Sequence, residues 1–294
     1  MPSVNGWTDL CGCLEALEAN SADPDQEVLV LEILVIDRCG SDVRRAVADR
    51  FPGVRVIAAP AHTSIPDMRA LGFDASRGEV VAVIEDHVLV PPDWARRIVS
   101  AYRQGEDVVG GSVSNAATRR VVDWAAFLCE YSHLLPPLEA GPAETLTGNN
   151  TMYRRTLLQR YRIETRAGRW EDYLHHALRR DGITLVCHPE IEVAHKKHYT
   201  VTEYFKQRYL YARSYAGQRV ADASLASKAY YAAASLALPP VLFVRIVSRV
   251  ARKRRHRVEL LKSLPLIALF SIGWAGGELT GTLMGPGNSL SRVN

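Results

Sequence analysis

An apolar run at residues 80–84, Val-Val-Ala-Val-Ile, ends on three adjacent polar side chains, Glu85, Asp86 and His87, and prolines follow at 91 and 92. The run is short, β-branched and without alternation, which predicts a strand buried on both faces of a mostly parallel sheet. Open α/β sheets gather their ligands at the carboxyl ends of such strands. Two carboxylates and an imidazole offer oxygen donors and one nitrogen to a divalent ion such as Mg²⁺ or Mn²⁺, which in turn can hold a diphosphate. A solvated acidic turn is the plainer reading of the same residues. Asp93 is placed to cap a helix with Trp94, Ile98, Val99 and Tyr102 on its apolar face.

The same unit recurs upstream. Leu10, Leu14 and Leu17 predict a helix over residues 7–20. The polar stretch 21–26 ends it, and the apolar segment 27–36 follows, its second half a buried strand closing at Asp37. A polar turn at 37–42 then leads into a helix that Ser41 or Asp42 can cap, with Val43, Val47 and Phe51 on one face. Residues 55–59 are the next strand. Strand, polar turn and helix in alternation predict a doubly wound α/β sheet whose carboxyl ends, Asp37 and the Glu85–His87 cluster among them, face one crevice.

The 294 residues suffice for one large domain or two smaller ones. The net charge of +4 is concentrated in the second half, without interleaved stacking aromatics, so nucleic acid is not the expected partner. Five scattered cysteines, without paired zinc spacing, indicate a reduced, cytosolic setting, and the first ten residues have neither the basic start nor the apolar core of a signal peptide.

EILVIDRCGSD together with PDMRALGFDASRGEVVAVIEDHVLVPPDW resembles the nucleotide-binding half of a family 2 glycosyltransferase of the GT-A (nucleotide-diphospho-sugar transferase) fold. The resemblance implies that Asp37 contacts the nucleotide base and that Arg69 is the arginine ahead of the metal-binding strand. Glu85, Asp86 and His87 then stand where the family has Asp-x-Asp. On that alignment His87 is a metal ligand, with Asp86 beside it, and Glu85 or Asp86 supports the ribose or the ion. The divalent metal would be Mn²⁺ or Mg²⁺.

The resemblance extends to about residue 216. GNNTMYRRTLL is similar to the family's acceptor-side turn, in which Asn149 and Asn150 would bond substrate hydroxyls; a turn that merely begins a helix fits them equally. In WEDYLHHALRRDG, Glu171 and Asp172 start a helix with Leu174, Ala177 and Leu178 on its buried side and Gly182 at its end. Carboxylates there often serve only as caps. They also fall on the family's Glu-Asp motif, which implies Asp172 as catalytic base and Glu171 as orienting the acceptor. Strands are expected at 183–188 and 192–195 around a proline turn, and a less regular segment at 124–138. His195 matches the histidine that joins the metal or diphosphate, and Lys196, Lys197 and His198 after it suit a leaving diphosphate or a lipid surface. Processive members carry Gln-x-x-Arg-Trp; Gln207 is present without the rest, so a single addition is implied.

Thr200 and Glu203 form a potential capping box for a following helix. Residues 230–247 and 264–284 are strongly apolar, the first broken by Pro239 and Pro240, and between them lies Ala-Arg-Lys-Arg-Arg-His-Arg. The positive-inside rule assigns that block to the cytoplasm, which makes the first segment interfacial or re-entrant and leaves the second to span or lie shallow.

The expected organisation is a catalytic domain at 1–198, a connecting helix at 199–228 and membrane-associated helices at 229–294. The expected activity is metal-assisted, inverting transfer from a nucleotide-diphosphate sugar to a saccharide or glycolipid acceptor at the cytoplasmic face of the membrane. The family's first strand, resembling VSVVIPTYN, is expected to be absent, since MPSVNG is short and polar. That implies either a start downstream of the true one or an incomplete nucleotide pocket, and with the latter a non-catalytic membrane- or partner-binding protein of the same fold is the alternative.

Overall fold

The computed structural model describes residues 1–20 and 31–294. The polar stretch 21–26 and the start of the apolar run at 27–36 lie outside the described residues. The chain divides into two compact units, one of Met1–Ser114 with Pro136–Lys196 and the other of Asn115–Leu135 with Lys197–Asn294.

The first unit opens with β1 (Pro2–Ser3), α1 (Trp7–Glu18), β2 (Leu34–Asp37), α2 (Ser41–Arg50), β3 (Arg55–Ala58) and α3 (Ile65–Ala75). β1, β2 and β3 form a parallel sheet in that order, with Pro2 opposite Ile36 and Ser3 opposite Asp37. The first strand expected to be missing is therefore present, as two residues. It holds its register because Ile36 N–H donates to Met1 O at 2.9 Å and Arg38 N–H to Ser3 O at 3.2 Å. Beside this short strand, residues 31–34 and 80–84 help line a cavity of about 500 Å³.

β4 (Val80–Val83), β5 (Val88–Leu89), α4 (Trp94–Arg103) and β6 (Val108–Asn115) follow. α5 (Val121–Tyr131) belongs to the second unit, and the chain returns to the first with β7 (Gly141–Ala143), β8 (Thr151–Arg154), α6 (Arg155–Arg160), α7 (Arg162–Thr165), α8 (Glu171–Arg180) and β9 (Leu185–His195). These strands make a second sheet in the order β4-β8-β6-β9-β5, with β7 also on β9; β4 and β6 each run antiparallel to β8, as β5 and β7 do to β9. β9 is continuous through Pro189 rather than two strands around a turn.

Two expected caps are not made. α2 begins after Gly40 without a side-chain cap, and the Asp93 carboxylate accepts from Arg97 Nε at 2.7 Å instead of from the start of α4. The segment expected to be irregular at 124–138 starts as helix α5, apolar nearly all round because it is buried, with Trp124, Phe127, Leu128 and Tyr131 among its core residues.

The second unit adds α9 (Val201–Arg219), α10 (Leu225–Ser235), α11 (Leu238–Arg252) and α12 (Arg257–Met284). The capping box at Thr200 and Glu203 is formed. Buried Asp123 of α5 ties down the chain entering α9, accepting from Tyr199 N–H at 3.0 Å while Arg120 and His198 pair with it. Among the described residues α12 is long and apolar enough to cross a membrane; α10 and α11 qualify only as a pair, and they are bent by 59°.

Candidate active site

The pairing of β5 with β9 sets Val88 opposite His195, and Lys196 N–H donates to His87 O at 2.9 Å. This register brings two histidines together: His87 Nε2 is 3.0 Å from His195 Nε2, and Glu85 Oε2 is 3.4 Å from His87 Nε2. One donor atom from each of Glu85, His87 and His195 lies within 4.8 Å of the other two. Both imidazoles are buried, and Glu85 is largely so.

The Asp86 carboxylate, fully buried, takes another role. It accepts from Val4 N–H at 2.7 Å, Asn5 N–H at 2.8 Å and Asn5 Nδ2 at 2.6 Å, and His87 Nδ1 lies 3.0 Å from its Oδ1. The same Nδ1 lies 3.1 Å from Asn5 Nδ2; the tautomer that donates Nδ1–H to Asp86 is the one that turns the Nε2 lone pair towards Glu85 and His195 for a metal. The donor set fits a divalent cation that accepts mixed nitrogen and oxygen ligation, with Glu85 in the ligand position expected for Asp86.

A second cluster is built on Arg69, whose side chain is buried. Its Nη2 donates to Glu85 at 3.1 Å and its Nη1 to Glu171. Glu171 also accepts from Gly148 N–H at 2.9 Å. A Cβ on Gly148 would stand 2.6 Å from the Glu171 carboxyl carbon and against the Arg69 guanidinium, so a side chain there would push this pair aside. Burial pushes the Glu171 carboxyl up, but Arg69, the helix-start and Gly148 N–H groups and His175 together hold it below the usual range. Asp172, in the same first turn of α8, is partly buried.

One turn further along α8, His175 is buried. Leu146 N–H donates to its Nδ1 at 3.4 Å, and its Nε2 lies 2.7 Å from the Tyr153 hydroxyl. Burial first, with Arg69 adding to it against Glu171, pulls this imidazole down to about 4.

The remaining candidate residues differ in what they leave available. Asp37 is fully buried and saturated, accepting from Ser3 Oγ, Cys39 N–H, Gly40 N–H and Arg44 at 2.9–3.2 Å; it organises the turn after β2. Asn150 is consumed by the fold, accepting from Trp94 Nε1 at 3.0 Å and donating to Ser112 O and Ile191 O at 3.1 and 2.6 Å. Asn149 is equally buried, yet its Nδ2 has no partner. Of the basic cluster, Lys196 is exposed, Lys197 is buried with its ammonium over the Tyr199 ring, and His198 pairs with Asp123.

Val4, Asn5 and His175 carry parts of this site that lie outside the expected site residues, and Gly148 is the glycine of the expected acceptor-side turn. A signal existed for Asn5: Pro2-Ser3-Val4-Asn5 parallels the Pro-Thr-Tyr-Asn that closes the reference strand.

A stretch of 76 residues is 33% identical to the succinoglycan biosynthesis protein ExoO of Rhizobium meliloti (strain 1021), covering 25% of this chain and 22% of that protein's length. The fold is similar to that of a mannosyltransferase from Pyrobaculum calidifontis solved with GDP-Man and Mn²⁺, with a TM-score of 0.51 at 16% identity over 91% of this chain and 84% of that one. It is also similar to residues 1–349 of TarS from S. aureus, with a TM-score of 0.50 at 13% identity over 95% and 89% of the two chains. These likenesses bear out the GT-A fold. The family profile of glycosyl transferase family 2 matches residues 1–162, more than half of the chain, which therefore belongs to that family of glycosyltransferases.

Proposed function

We propose that this glycosyltransferase moves a sugar, with inversion and in a single addition, from a nucleotide-diphosphate donor to a hydroxyl of a lipid-linked or cell-envelope saccharide. The observation that carries the reading is the meeting, within one unit, of the Glu85–His87–His195 donor set and the Arg69–Glu171–Gly148 clamp at the start of α8. Two solved structures of similar fold hold GDP-Man with Mn²⁺ and UDP-GlcNAc, and a relative's name places it in succinoglycan biosynthesis, which supports a nucleotide sugar and a polysaccharide pathway.

Glu85, His87 and His195 would hold the divalent ion, whose chemistry is to neutralise charge on the departing nucleotide diphosphate. The protein's own groups do the rest. Asp86 keeps His87 in the binding tautomer. Asp37 fixes the turn that would meet the base. Arg69 holds Glu171, and Glu171 anchors the first turn of α8 and orients the acceptor. From that turn Asp172 would accept the proton of the attacking hydroxyl, since a sugar hydroxyl is a weak nucleophile until a carboxylate takes its proton. The unpartnered Asn149 amide is suited to a substrate hydroxyl.

We assign the chain to the cytoplasmic face of the cell membrane. Leu236, Val244, Leu261 and Ile272 are exposed by more than half. α12 packs along the polar helix α9 and buries Glu278 against Arg219, which favours a helix lying shallow in the interface over one surrounded by lipid.

Asp172→Asn tests the assignment. Turnover should fall by about 10²- to 10⁴-fold, while calorimetric binding of UDP- or GDP-sugars with Mn²⁺ stays near wild type. Wild-type turnover in the variant would remove Asp172 as the base.

A further inference from the structure

α11 carries Arg245, Arg249 and Arg252 at spacings of four and three residues, which places them on one helix face. Together with Val241, Val244 and Ser248 they form one open face of the helix. Elsewhere, arginines of comparable exposure have found carboxylates: Arg97 pairs with Asp93, Arg120 with Asp123 and Arg219 with Glu278. Among the described residues Arg245, Arg249 and Arg252 have no hydrogen-bond or ion-pair partner, and Arg249 feels the charge of both its neighbours. Three cations within two turns of one helix face suit an anion with several acceptor oxygens.

The surroundings select the anion. Val241 and Val244 are 45% and 59% exposed at the amino-terminal end of this face, and Leu236, at the bend before α11, is 72% exposed. The opposite face of the helix is seated in the protein through Ile246 and Val250. Exposed apolar side chains at one end and guanidinium groups at the other follow the depth profile of a lipid interface, acyl chain first and headgroup second. A small soluble phosphate would use the arginines and leave the valines in water.

We propose that the Arg245–Arg249–Arg252 face of α11 binds the phosphodiester headgroup of an anionic membrane phospholipid. The inference rests on the membrane association proposed above and names the residues and the lipid chemistry that carry it. Arg252 also opens the basic block 251–257, and what sets the three arginines apart from that block is their spacing on one helix face beside exposed valines.

The test is sedimentation of the full chain with vesicles of phosphatidylcholine alone or with added phosphatidylglycerol. Wild type should favour the phosphatidylglycerol vesicles. Arg245→Gln/Arg249→Gln/Arg252→Gln should weaken that partition on the order of a hundredfold. The charge-preserving Arg245→Lys/Arg249→Lys/Arg252→Lys should still lose about tenfold, because lysine lacks the planar fork. A lysine variant that binds like wild type would reduce the effect to diffuse charge and overturn the site. Release of wild type by inorganic phosphate at constant ionic strength would show a free-anion site and overturn the lipid assignment. If wild type binds neither vesicle, the membrane reading itself fails.

Discussion

Nε2 of His87 lies 3.0 Å from Nε2 of His195, although 108 residues separate them in sequence. Two imidazole nitrogens aimed at each other are a poor contact unless they share a proton or a cation, and Glu85 beside them supplies the negative charge that a cation requires. His87→Ala, His195→Ala and Glu85→Gln should each weaken Mn²⁺ binding by more than the roughly ten- to hundredfold that losing a supporting partner costs. Asp86→Asn should stay within that smaller range, and it should also destabilise the fold because the carboxylate holds Val4 and Asn5. Calorimetric titration with Mn²⁺ separates the two patterns, and unchanged affinity in His195→Ala would dismantle the proposed ligand set.

Much of this site was legible in the sequence because it sits at the ends of strongly patterned elements. The apolar run 80–84 marked the strand, and its stop marked Glu85 to His87; Leu174, Ala177 and Leu178 marked the helix that Glu171 and Asp172 begin. The division of labour within Glu85-Asp86-His87 was not legible, because adjacent residues past a strand end turn to different sides. What decided it was Val4 and Asn5, whose N–H groups claim Asp86 from more than 80 residues away. Arg69 was expected ahead of the metal-binding strand, but its bridging of Glu85 and Glu171 depends on a contact across 102 residues of sequence. Asn150 looked like a substrate residue and is instead a crosslink between Trp94, Ser112 and Ile191. α5 was missed for a different reason: a helix buried on most sides has no apolar stripe to detect.

Buried His175 should make stability depend on acidity. Its folded value of about 4 lies below the roughly 6.5 of an exposed imidazole, so between those values the unfolded chain binds the extra proton. The stabilising contribution is therefore complete above about pH 6.5 and is lost as the pH falls towards 4. The span corresponds to about 3 kcal/mol. Urea unfolding of wild type at neutral pH and near pH 4.5 should show the loss, and His175→Gln, which cannot titrate, should lose less. Equal losses in both proteins would rule out His175 as the source.

Adjacent glycines in α12 should respond in opposite directions to the same substitution. Gly273, Gly277 and Gly281 recur every fourth residue and face α9, and a Cβ on Gly277 would collide with the carbonyl oxygen of Tyr209. Backbone cannot give way as a side chain can, so Gly277→Ala must push the helices apart, at a cost of about 1–3 kcal/mol. At Gly276 the added Cβ would rest 3.8 Å from the Tyr209 ring, an ordinary contact. There alanine removes glycine's conformational freedom from the unfolded chain, and Gly276→Ala should be neutral or more stable by up to about 1 kcal/mol. Trp274 lies on the same helix, with Arg208 of α9 over its ring, so denaturant unfolding followed by fluorescence in a variant keeping Trp274 as the sole tryptophan reports on this packing. If both variants shift the midpoint alike, close approach along the glycine stripe is not what joins α9 to α12.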